Sequence, residues 1–406
     1  MFTKSTTTVA PSGDRALTSY RWALILVTSL FFLWGLSYGL LDVLNKHFQE
    51  TLHVSKAQSG LLQGAYFGAY FVIALPASLM MDKYGYKAGI LLGLCLYACG
   101  AFLFMPAASA ASFPFFLLAL FVIACGLGCL ETAANPYATL LGEPKGAERR
   151  LNMAQSFNGL GQFFGPLIGG TLFFGGANAI DTTDSLKTTY VVIAVIVLLI
   201  AALIARTPLP DLRNQAHIIR QTDGQSVWRQ KGFTAAVVTL FFYVAAQVGV
   251  GAFFINFATE HWASVNSQQG AYLLSIAMLC FMLGRFFSTW LMGFVSAQRL
   301  LLTYAVINIA LCALVVSGVE VVSVVALIGI FFFMSIMFPT LFAMGVKDLG
   351  EQAKRGSSFL IMAIVGGAFM PYLMGRVADH SSTALAYLLP LGCFVIVAVY
   401  ARSRAN

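Results

Sequence analysis

Long apolar runs, separated by polar breaks at nearly regular intervals, restrict the fold of this chain more than any motif does. A helix that crosses the hydrocarbon core of a membrane needs roughly 20 predominantly apolar residues. The 406 residues accommodate about a dozen such runs with short connections. Hydrophobic residues make up 59% of the chain and charged residues 10%, a composition that does not supply the polar surface of a soluble domain. We therefore predict an all-α polytopic membrane protein.

Run length and polar breaks predict twelve transmembrane helices. The predicted spans are 21–47, 57–81, 86–106, 113–140, 151–174, 187–206, 231–260, 267–294, 299–318, 320–346, 354–378 and 384–402. The longest polar connection divides them six and six. The predicted domains are therefore a cytoplasmic tail at 1–20, a six-helix bundle at 21–206, a cytoplasmic linker at 207–230, a second six-helix bundle at 231–402 and a cytoplasmic tail at 403–406.

The basic residues orient the chain, because lysine and arginine accumulate in cytoplasmic loops. With the N-terminus inside, about nineteen of the 24 basic residues lie in inner loops and tails and about four in outer loops. The outer set is Lys46, Lys56, Lys187 and Arg376. This asymmetry predicts both termini in the cytoplasm and a plasma membrane location of the bacterial inner-membrane type. It also accounts for the net charge of +8 without nucleic acid as a partner.

The seven cysteines all lie in apolar runs, which favours a role in helix packing over disulfides. Cys95 and Cys99, like Cys125 and Cys129, are four residues apart on one helix face, but no histidine is near to complete a metal site. We expect no metal and no cofactor, apart from a coupling proton.

The two halves of the chain carry similar passages. "NPYATLLG…RRLNMAQSFNGLGQFFGPLIGG" begins at Asn135, and "FPTLFAMG…KRGSSFLIMAIVGGAFMPYLMG" begins at Phe338. Such a duplication is typical of alternating-access carriers of the major facilitator type, which bind substrate near the midplane between two six-helix halves. We therefore predict a major facilitator fold with two pseudo-symmetric halves. Glycines at i, i+4 spacing predict close helix packing, either static or at a sliding gate: Gly60, Gly64 and Gly68, and Gly161, Gly165 and Gly169.

Asp42, Glu131 and Arg285 are ionisable residues well inside predicted spans. A charge at the bilayer centre costs roughly 2.5 to 3.5 kcal/mol, so such residues usually face a cavity or a partner. Asp42 is expected in the outer half and Glu131 in the inner half. Removal from water disfavours the charged form of a carboxyl group, so two carboxyls at different depths suit a proton relay. The alternatives are a Glu131 held by Asn135, and an Asp42 paired with Lys46 one turn away.

The segment around Arg285, "GRFFSTWLMG", corresponds in the first half to "PASLMMDKYGYKAG", with Asp82 and Lys83. These residues resemble the charged cytoplasmic loop motif of major facilitators. We interpret Asp82, Lys83 and Arg285 as gating residues, with direct substrate contact by Arg285 as the alternative.

Neutral polar residues are predicted to bind a polyhydroxy substrate. Gln155, Asn158 and Gln162 lie on one face of the fifth span, at i, i+3 and i+7. Amides suit hydroxyl recognition where aromatic rings provide a flat apolar wall. The further candidates are Gln247, Asn256, Trp34, Tyr38 and Tyr66, and for each ring the alternative is core or lipid packing.

Four segments resemble the fucose permease branch of the major facilitator superfamily, the fucose, galactose and glucose proton symporters. They are "FFLWG…LLDVLNKHF", "GLGCLETAANPYATLLG", "RRLNMAQSFNGLG" and "FPTLFAMGVKDLG…KRGSSFLIM". The resemblance implies that Asp42 and Glu131 carry proton coupling and sugar binding, with Gln155 and Asn158 as polar partners. Tyr38 and Gly39 stand where fucose permease has asparagines, so the resemblance leaves the sugar open.

Together these patterns predict a monomeric carrier that imports a hexose or deoxyhexose with a proton, with sugar and membrane lipids as its partners. The alternatives are a uniporter, a carrier of a non-sugar amphiphilic solute, a membrane enzyme and a sugar receptor that does not transport. The enzyme is disfavoured because no metal cluster, nucleophile triad or phosphate loop accompanies Glu131.

Overall fold

The computed structural model of the chain describes residues 13–140, 147–175, 179–207, 231–347 and 353–405, together with residues 209, 228 and 349. The predicted linker at 207–230 therefore lies almost wholly outside the described residues. The helices of the first half are α1 (Gly13–Thr51), α2 (Lys56–Ser59), α3 (Leu61–Tyr84), α4 (Tyr86–Ser109), α5 (Phe113–Leu140), α6 (Ala147–Phe174) and α7 (Ala179–Arg206). Those of the second half are α8 (Lys231–Ala252), α9 (Phe254–His261), α10 (Ser267–Leu291), α11 (Ala297–Val316), α12 (Glu320–Met334), α13 (Met337–Val346), α14 (Ala353–Met362), α15 (Gly366–His380), α16 (Thr383–Ala386) and α17 (Leu388–Ala405), with a 3-10 turn at Ala363–Val365.

Each of the twelve predicted spans corresponds to helix in the described residues, and the protein is a multi-pass membrane protein. Eleven helical stretches among the described residues are long and apolar enough to cross a membrane. The helix α1 already begins at Gly13, within the segment predicted as a tail at 1–20. The tight break near Gly318 is present, with Gly318 in the left-handed region at φ 66°, where a residue without a Cβ is favoured.

The twelfth span is α6, which is long enough to cross at 28 residues but more polar than the others. Its polar side chains include Gln155, Asn158 and Gln162, the residues that the sequence assigned to substrate. A polar helix remains inside a membrane when neighbouring helices shield it from lipid. Here α1 provides that neighbour, because the two helices pack along most of their lengths.

Glycines let α1 and α6 pack in parallel with their backbones in contact. A Cβ on Gly39 would lie 2.7 Å from the carbonyl oxygen of Gln162, and one on Gly165 would lie 2.6 Å from the Cα of Gly39. A Cβ on Gly35 would overlap the Asn158 carbonyl. Close backbone approach at small residues is the usual way in which membrane helices associate. The contact holds the polar face of α6 at a fixed height beside α1.

The remaining helices pack mainly within their own half. In the first half α4 packs on α5 and α7, and in the second half α8 packs on α15 and α17. The halves meet through α6 against α10 and through α2 and α3 against α15. We call the end of the molecule that contains Thr51, Lys56 and His380 the distal end, and the opposite end, where α1 begins, the proximal end.

Several spans of the second half are interrupted, and two of the interruptions bear on the site. The span at 231–260 is divided between α8 and α9 at Phe253, and the span at 320–346 between α12 and α13 at Ser335 and Ile336. Backbone carbonyls freed by a break need other donors, because no water is available in hydrocarbon. Side chains of other helices supply them: Tyr387 Oη donates to the Val250 carbonyl at 3.4 Å, and Tyr243 Oη to the Met334 carbonyl at 2.8 Å.

We predict that Gly165→Ala lowers stability, whereas Gly68→Ala does not. The added methyl at Gly165 meets the α1 backbone, while no atom lies within 4 Å of a Cβ at Gly68. Overpacking of this kind costs about 1–3 kcal/mol, whereas alanine alone favours a helix by about 1 kcal/mol over glycine. Thermal unfolding midpoints in detergent measure both variants. Equal midpoints for the two would contradict the close approach of α1 and α6.

Candidate functional site

Glu131 lies on α5 in a small pocket between α1 and α5. The pocket is lined by Leu30, Phe31, Trp34, Leu130, Glu131 and Ala134. Among the described residues, none donates a hydrogen bond to the Glu131 carboxylate. The predicted alternative, a contact with Asn135, is absent: the Asn135 side-chain oxygen instead accepts from Gln155 at 3.3 Å. A carboxylate that opens into an otherwise apolar pocket is available to a ligand.

Asp42 lies deeper in the protein and is 1% exposed. One carboxyl oxygen, Oδ1, accepts a long hydrogen bond of 3.4 Å from Gln63 of α3, and Oδ2 has no hydrogen-bond partner in the part of the chain that the structure describes. The predicted alternative, a pair with Lys46, is absent, since Lys46 pairs with Glu50 at 3.4 Å. An ionised carboxylate with a single weak donor is costly to bury. The geometry therefore favours a protonated Asp42 in this conformation.

Aromatic hydroxyls lie between the levels of the two carboxyls. Tyr66 and Tyr70 of α3 stack with ring centroids 5.3 Å apart, and their hydroxyl oxygens are 3.5 Å apart. Tyr66 is within electrostatic reach of both Glu131 and Asp42. Tyr38 packs edge-on against Phe67 at 6.2 Å. Of the three rings predicted to form an apolar wall, Trp34 lines the Glu131 pocket, whereas Tyr66 is 1% exposed and Tyr38 packs on Phe67.

The three amides of α6 divide into a bonded pair and one that faces α5. Asn158 donates to the Phe31 carbonyl at 3.2 Å and accepts from Gln162 at 2.8 Å. These bonds fix Asn158 and Gln162 against α1. Gln155 reaches across to Asn135, one turn from Glu131. The structure thus places Gln155 beside Asn135, one turn along α5 from Glu131, and it places Asn158 and Gln162 against α1.

Arg285 of α10 is partly buried in the second half. Its Nε donates to the Ser335 carbonyl at the break between α12 and α13, at 3.3 Å, and its guanidinium lies over the Phe281 ring at 5.1 Å. The helices α6 and α10 run antiparallel, since Cβ atoms on Gly159 and Gly170 would meet Met282 and Ala271. This register puts Arg285 beside the segment of α6 that begins at Gln155. A guanidinium on one half thus lies at nearly the same height as Glu131 on the other.

The other predicted site residues lie elsewhere. Gln247 of α8 is half-buried. Asn256 is outside the pocket, because its amide pairs with that of Gln49 near the distal end, at 2.6 and 3.4 Å. Lys83 ends α3 with its Nζ over the Tyr84 ring at 5.1 Å. The Asp82 side chain lies outside the described residues.

Gly251 of α8 is a site residue that sequence reasoning missed. A Cβ at this position would lie 2.7 Å from Asp42 Oδ2, so its missing side chain lets the second half close against the carboxyl. The neighbouring Ala252 carbonyl, at the helix break, accepts from Asn45 at 3.3 Å. The only signal in the sequence was the pair of glycines in "VGVGAFF", which many helices carry.

Known proteins resemble the chain over nearly its whole length. The sequence profile of the Major Facilitator Superfamily matches residues 26–364. The L-fucose-proton symporter of Escherichia coli (strain K12) is 38% identical over 420 residues, which cover 96% of this chain and 94% of that protein. The glucose/galactose transporter of Brucella abortus biovar 1 (strain 9-941) is 34% identical over 388 residues, which cover 94% of each. A crystal structure of the transporter FucP in the outward conformation matches with a TM-score of 0.70 at 36% identity, over 96% of this chain and 100% of that one.

We predict that Gly251→Ala destabilises the protein only when Asp42 retains its carboxyl group. The added methyl would lie 2.7 Å from Asp42 Oδ2, and such overpacking costs about 1–3 kcal/mol. In an Asp42→Ala background the same change meets a smaller side chain and should cost much less. Unfolding midpoints of the parent, the two single variants and the double variant measure this coupling. Additive losses would show that the two residues do not touch.

Proposed function

Because the chain belongs to the Major Facilitator Superfamily, we propose that it imports a monosaccharide together with a proton by alternating access, with Glu131 in the sugar site and Asp42 as the group that takes up the proton. The observation that carries the proposal is the Glu131 carboxylate, which opens into the pocket between α1 and α5 without a hydrogen-bond donor among the described residues. Similarity over nearly the whole chain to an L-fucose-proton symporter and a glucose/galactose transporter supports a hexose or deoxyhexose as substrate. The chain is thus a transporter and not an enzyme.

The orientation follows from the basic residues. Both termini lie in the cytoplasm, and the distal end faces outward from a plasma membrane of the bacterial inner-membrane type. The linker at 207–230 then joins two six-helix bundles, 21–206 and 231–402, on the cytoplasmic side. The protein acts as a monomer within lipid and uses no cofactor, and a proton is its coupling ion.

Sugar binding uses groups from both halves. Glu131 and Gln155 offer a carboxylate and an amide, Trp34 offers a flat ring, and Arg285 offers guanidinium N–H groups from across the cleft. A carboxylate accepts from sugar hydroxyls and a guanidinium donates to them, so the two charged groups hold opposite sides of one ring. Asn158 and Gln162 fix the height of the site through their bonds to α1 and to each other.

Proton coupling follows from the environment of Asp42. In the outward-open state its carboxyl group meets water and takes up a proton. Closure of the distal end then brings Gly251 against Oδ2 and leaves Gln63 as the one donor among the described residues, which a neutral carboxyl tolerates and a charged one does not. The hydroxyls of Tyr66 and Tyr70 continue toward Glu131, which is the route we propose for the proton to the inner side.

The membrane potential provides the driving force. One proton that moves through about 100 mV contributes roughly 2.3 kcal/mol, enough to accumulate a neutral sugar by roughly a few tens-fold. A uniporter, or a carrier of a non-sugar amphiphilic solute, would use the same fold. It would show no dependence on a proton gradient, or no preference among monosaccharides.

We predict that the two carboxyl variants separate coupling from binding. With purified protein in proteoliposomes, Asp42→Asn abolishes gradient-driven accumulation but retains sugar exchange at equal concentrations, because the site remains intact. Glu131→Gln loses both by at least about tenfold, as expected when a charged hydrogen-bond partner is removed. Labelled fucose, galactose, glucose and xylose identify the preferred sugar.

Asp184→Asn is the control for the carboxyl variants, since Asp184 is exposed and pairs with Lys187 at 3.0 Å on the surface. It should transport like the parent. Gradient-independent uptake that is unchanged in both carboxyl variants would refute proton symport.

We also predict that Arg285→Lys raises the KM for sugar by about tenfold, because a lysine lacks the planar array of donors and the bond to the Ser335 carbonyl. Arg299→Lys, on the exposed start of α11, is the control and should leave the KM unchanged. If Arg285 acts only as a gate, the substitution alters the maximal rate and leaves the KM for exchange as it is.

A further inference from the structure

Polar contacts between the two halves are concentrated at the distal end. Gln49 pairs with Asn256, and Glu50 accepts from Ser267 at 2.5 Å. Lys56, at the start of α2, makes the most connections, since it reaches three elements of the second half. None of these residues except Asn256 belongs to the predicted site, and the proposed sugar site does not need them.

The Lys56 side chain joins two elements of the second half. Its Nζ donates to Glu260 Oε1 of α9 at 2.6 Å and to Thr383 Oγ1 of α16 at 2.8 Å. The Lys56 and Glu260 side chains are 24% and 34% exposed. Water can therefore compete for both charges, so the pair is closed here but weak enough to break.

Asp379, on the last turn of α15, binds the backbone at the same place. Its Oδ1 accepts from the Lys56 amide at 3.0 Å, and its Oδ2 accepts from the Ala57 amide at 2.9 Å. The following backbone amide of α2, that of Gln58, donates instead to the Ser55 hydroxyl of the first half. A helix start in the first half is thus capped partly by a carboxylate of the second, and separation of the halves exposes these amides again.

The gap between α3 and α15 beneath Lys56 narrows toward the distal end. A Cβ on Gly375 of α15 would lie 2.5 Å from the Ala57 amide nitrogen, and one on Gly60 would lie 2.6 Å from the Pro371 carbonyl carbon. One turn further in, a Cβ on Gly64 would be 3.5 Å from the Ala368 carbonyl, and on Gly68 nothing lies within 4 Å. The α3 and α15 backbones therefore touch at the distal end and diverge toward the interior. This geometry is expected of two halves that are closed at the distal end and rotate about that contact.

We propose that Lys56, Asp379 and Glu260 form an outer gate, whose contacts must break each time the carrier opens to the outside. The inference rests on the proposed function for the direction of opening. The three residues touch no substrate and are positioning residues, which set the balance between the closed state seen here and an outward-open one. Weakening the contacts of these residues shifts the equilibrium toward the outward-open state, because the contacts exist only in the closed state.

Accessibility of a reporter cysteine tests the gate. The reporter is Ser59→Cys, at a fully buried position of α2 beside the gate, in a variant whose seven native cysteines are replaced and which still takes up sugar. Membrane-impermeant maleimide is added to intact cells, without sugar. Lys56→Gln and Asp379→Asn should each raise the labelling rate by about threefold to tenfold, as the loss of a partly exposed charge contact allows.

The controls separate the gate from a general loosening. Lys187→Gln breaks an ion pair at 3.0 Å inside the first half and should leave labelling unchanged, and Lys56→Arg should label slowly, like the parent. The charge reversal Lys56→Glu with Glu260→Lys should return labelling toward that of the parent, whereas Lys56→Glu alone should label fast.

The outcomes distinguish the gate from the proposed function. Labelling that stays at the parent rate in Lys56→Gln and Asp379→Asn overturns the gate, even if proton-driven sugar uptake is observed. Labelling that rises in both, and falls again in the charge reversal, supports the gate, even if the parent carries no sugar. Equal increases in the Lys187→Gln control would also overturn it, since the effect would then not depend on contacts between the halves.

Discussion

The cost of a charge in hydrocarbon shapes the structure around its site. Asp42, Glu131 and Arg285 lie inside the helix bundle, where a charge is tolerated only beside a cavity, a partner or a proton. Each residue meets this cost differently. Asp42 is enclosed with one weak donor and is suited to be neutral, Glu131 opens into a pocket, and Arg285 donates to a carbonyl that a helix break has freed.

The interrupted helices follow from the same constraint. A break in a membrane helix leaves carbonyls without donors, and the breaks at Phe253 and Ser335 occur where donors are at hand. Tyr243 and Arg285 serve one of them, and Tyr387 and Asn45 serve the other. The breaks therefore put irregular backbone next to Asp42 on one side and next to Arg285 on the other, so the second half contributes to the site mainly through its backbone geometry.

Sequence patterns were sufficient to predict the helices and to find Asp42 and Glu131 inside the helix bundle, because both depend on local composition. An apolar run has one stable form in a membrane, and an acidic residue within it, such as Glu131, stands out against its neighbours. The break at Phe253 could not be predicted, since no proline follows it and its stability comes from side chains far away in sequence. The break at Ser335 did have a signal, because Pro339 lies four residues later and has no N–H to donate to the Ser335 carbonyl. Asn256 looked like a substrate ligand because its partner Gln49 is distant in the chain. Gly251 was missed because its role is to leave space for Asp42 Oδ2, and the sequence does not show which atom lies next to a glycine.

The two kinds of glycine contact explain how one fold is both rigid and mobile. Between α1 and α6, glycines join backbones along several turns, so that the contact holds within one half. Between α3 and α15, the close approach is confined to Gly60 and Gly375 and widens by Gly68. The contact between α3 and α15 covers about one turn and is closed by partly hydrated charges. Its separation therefore costs much less free energy than separation of the continuous contact between α1 and α6. Motion is therefore directed to the boundary between the halves, and in the proposed function this motion opens and closes the sugar site between Glu131 and Arg285.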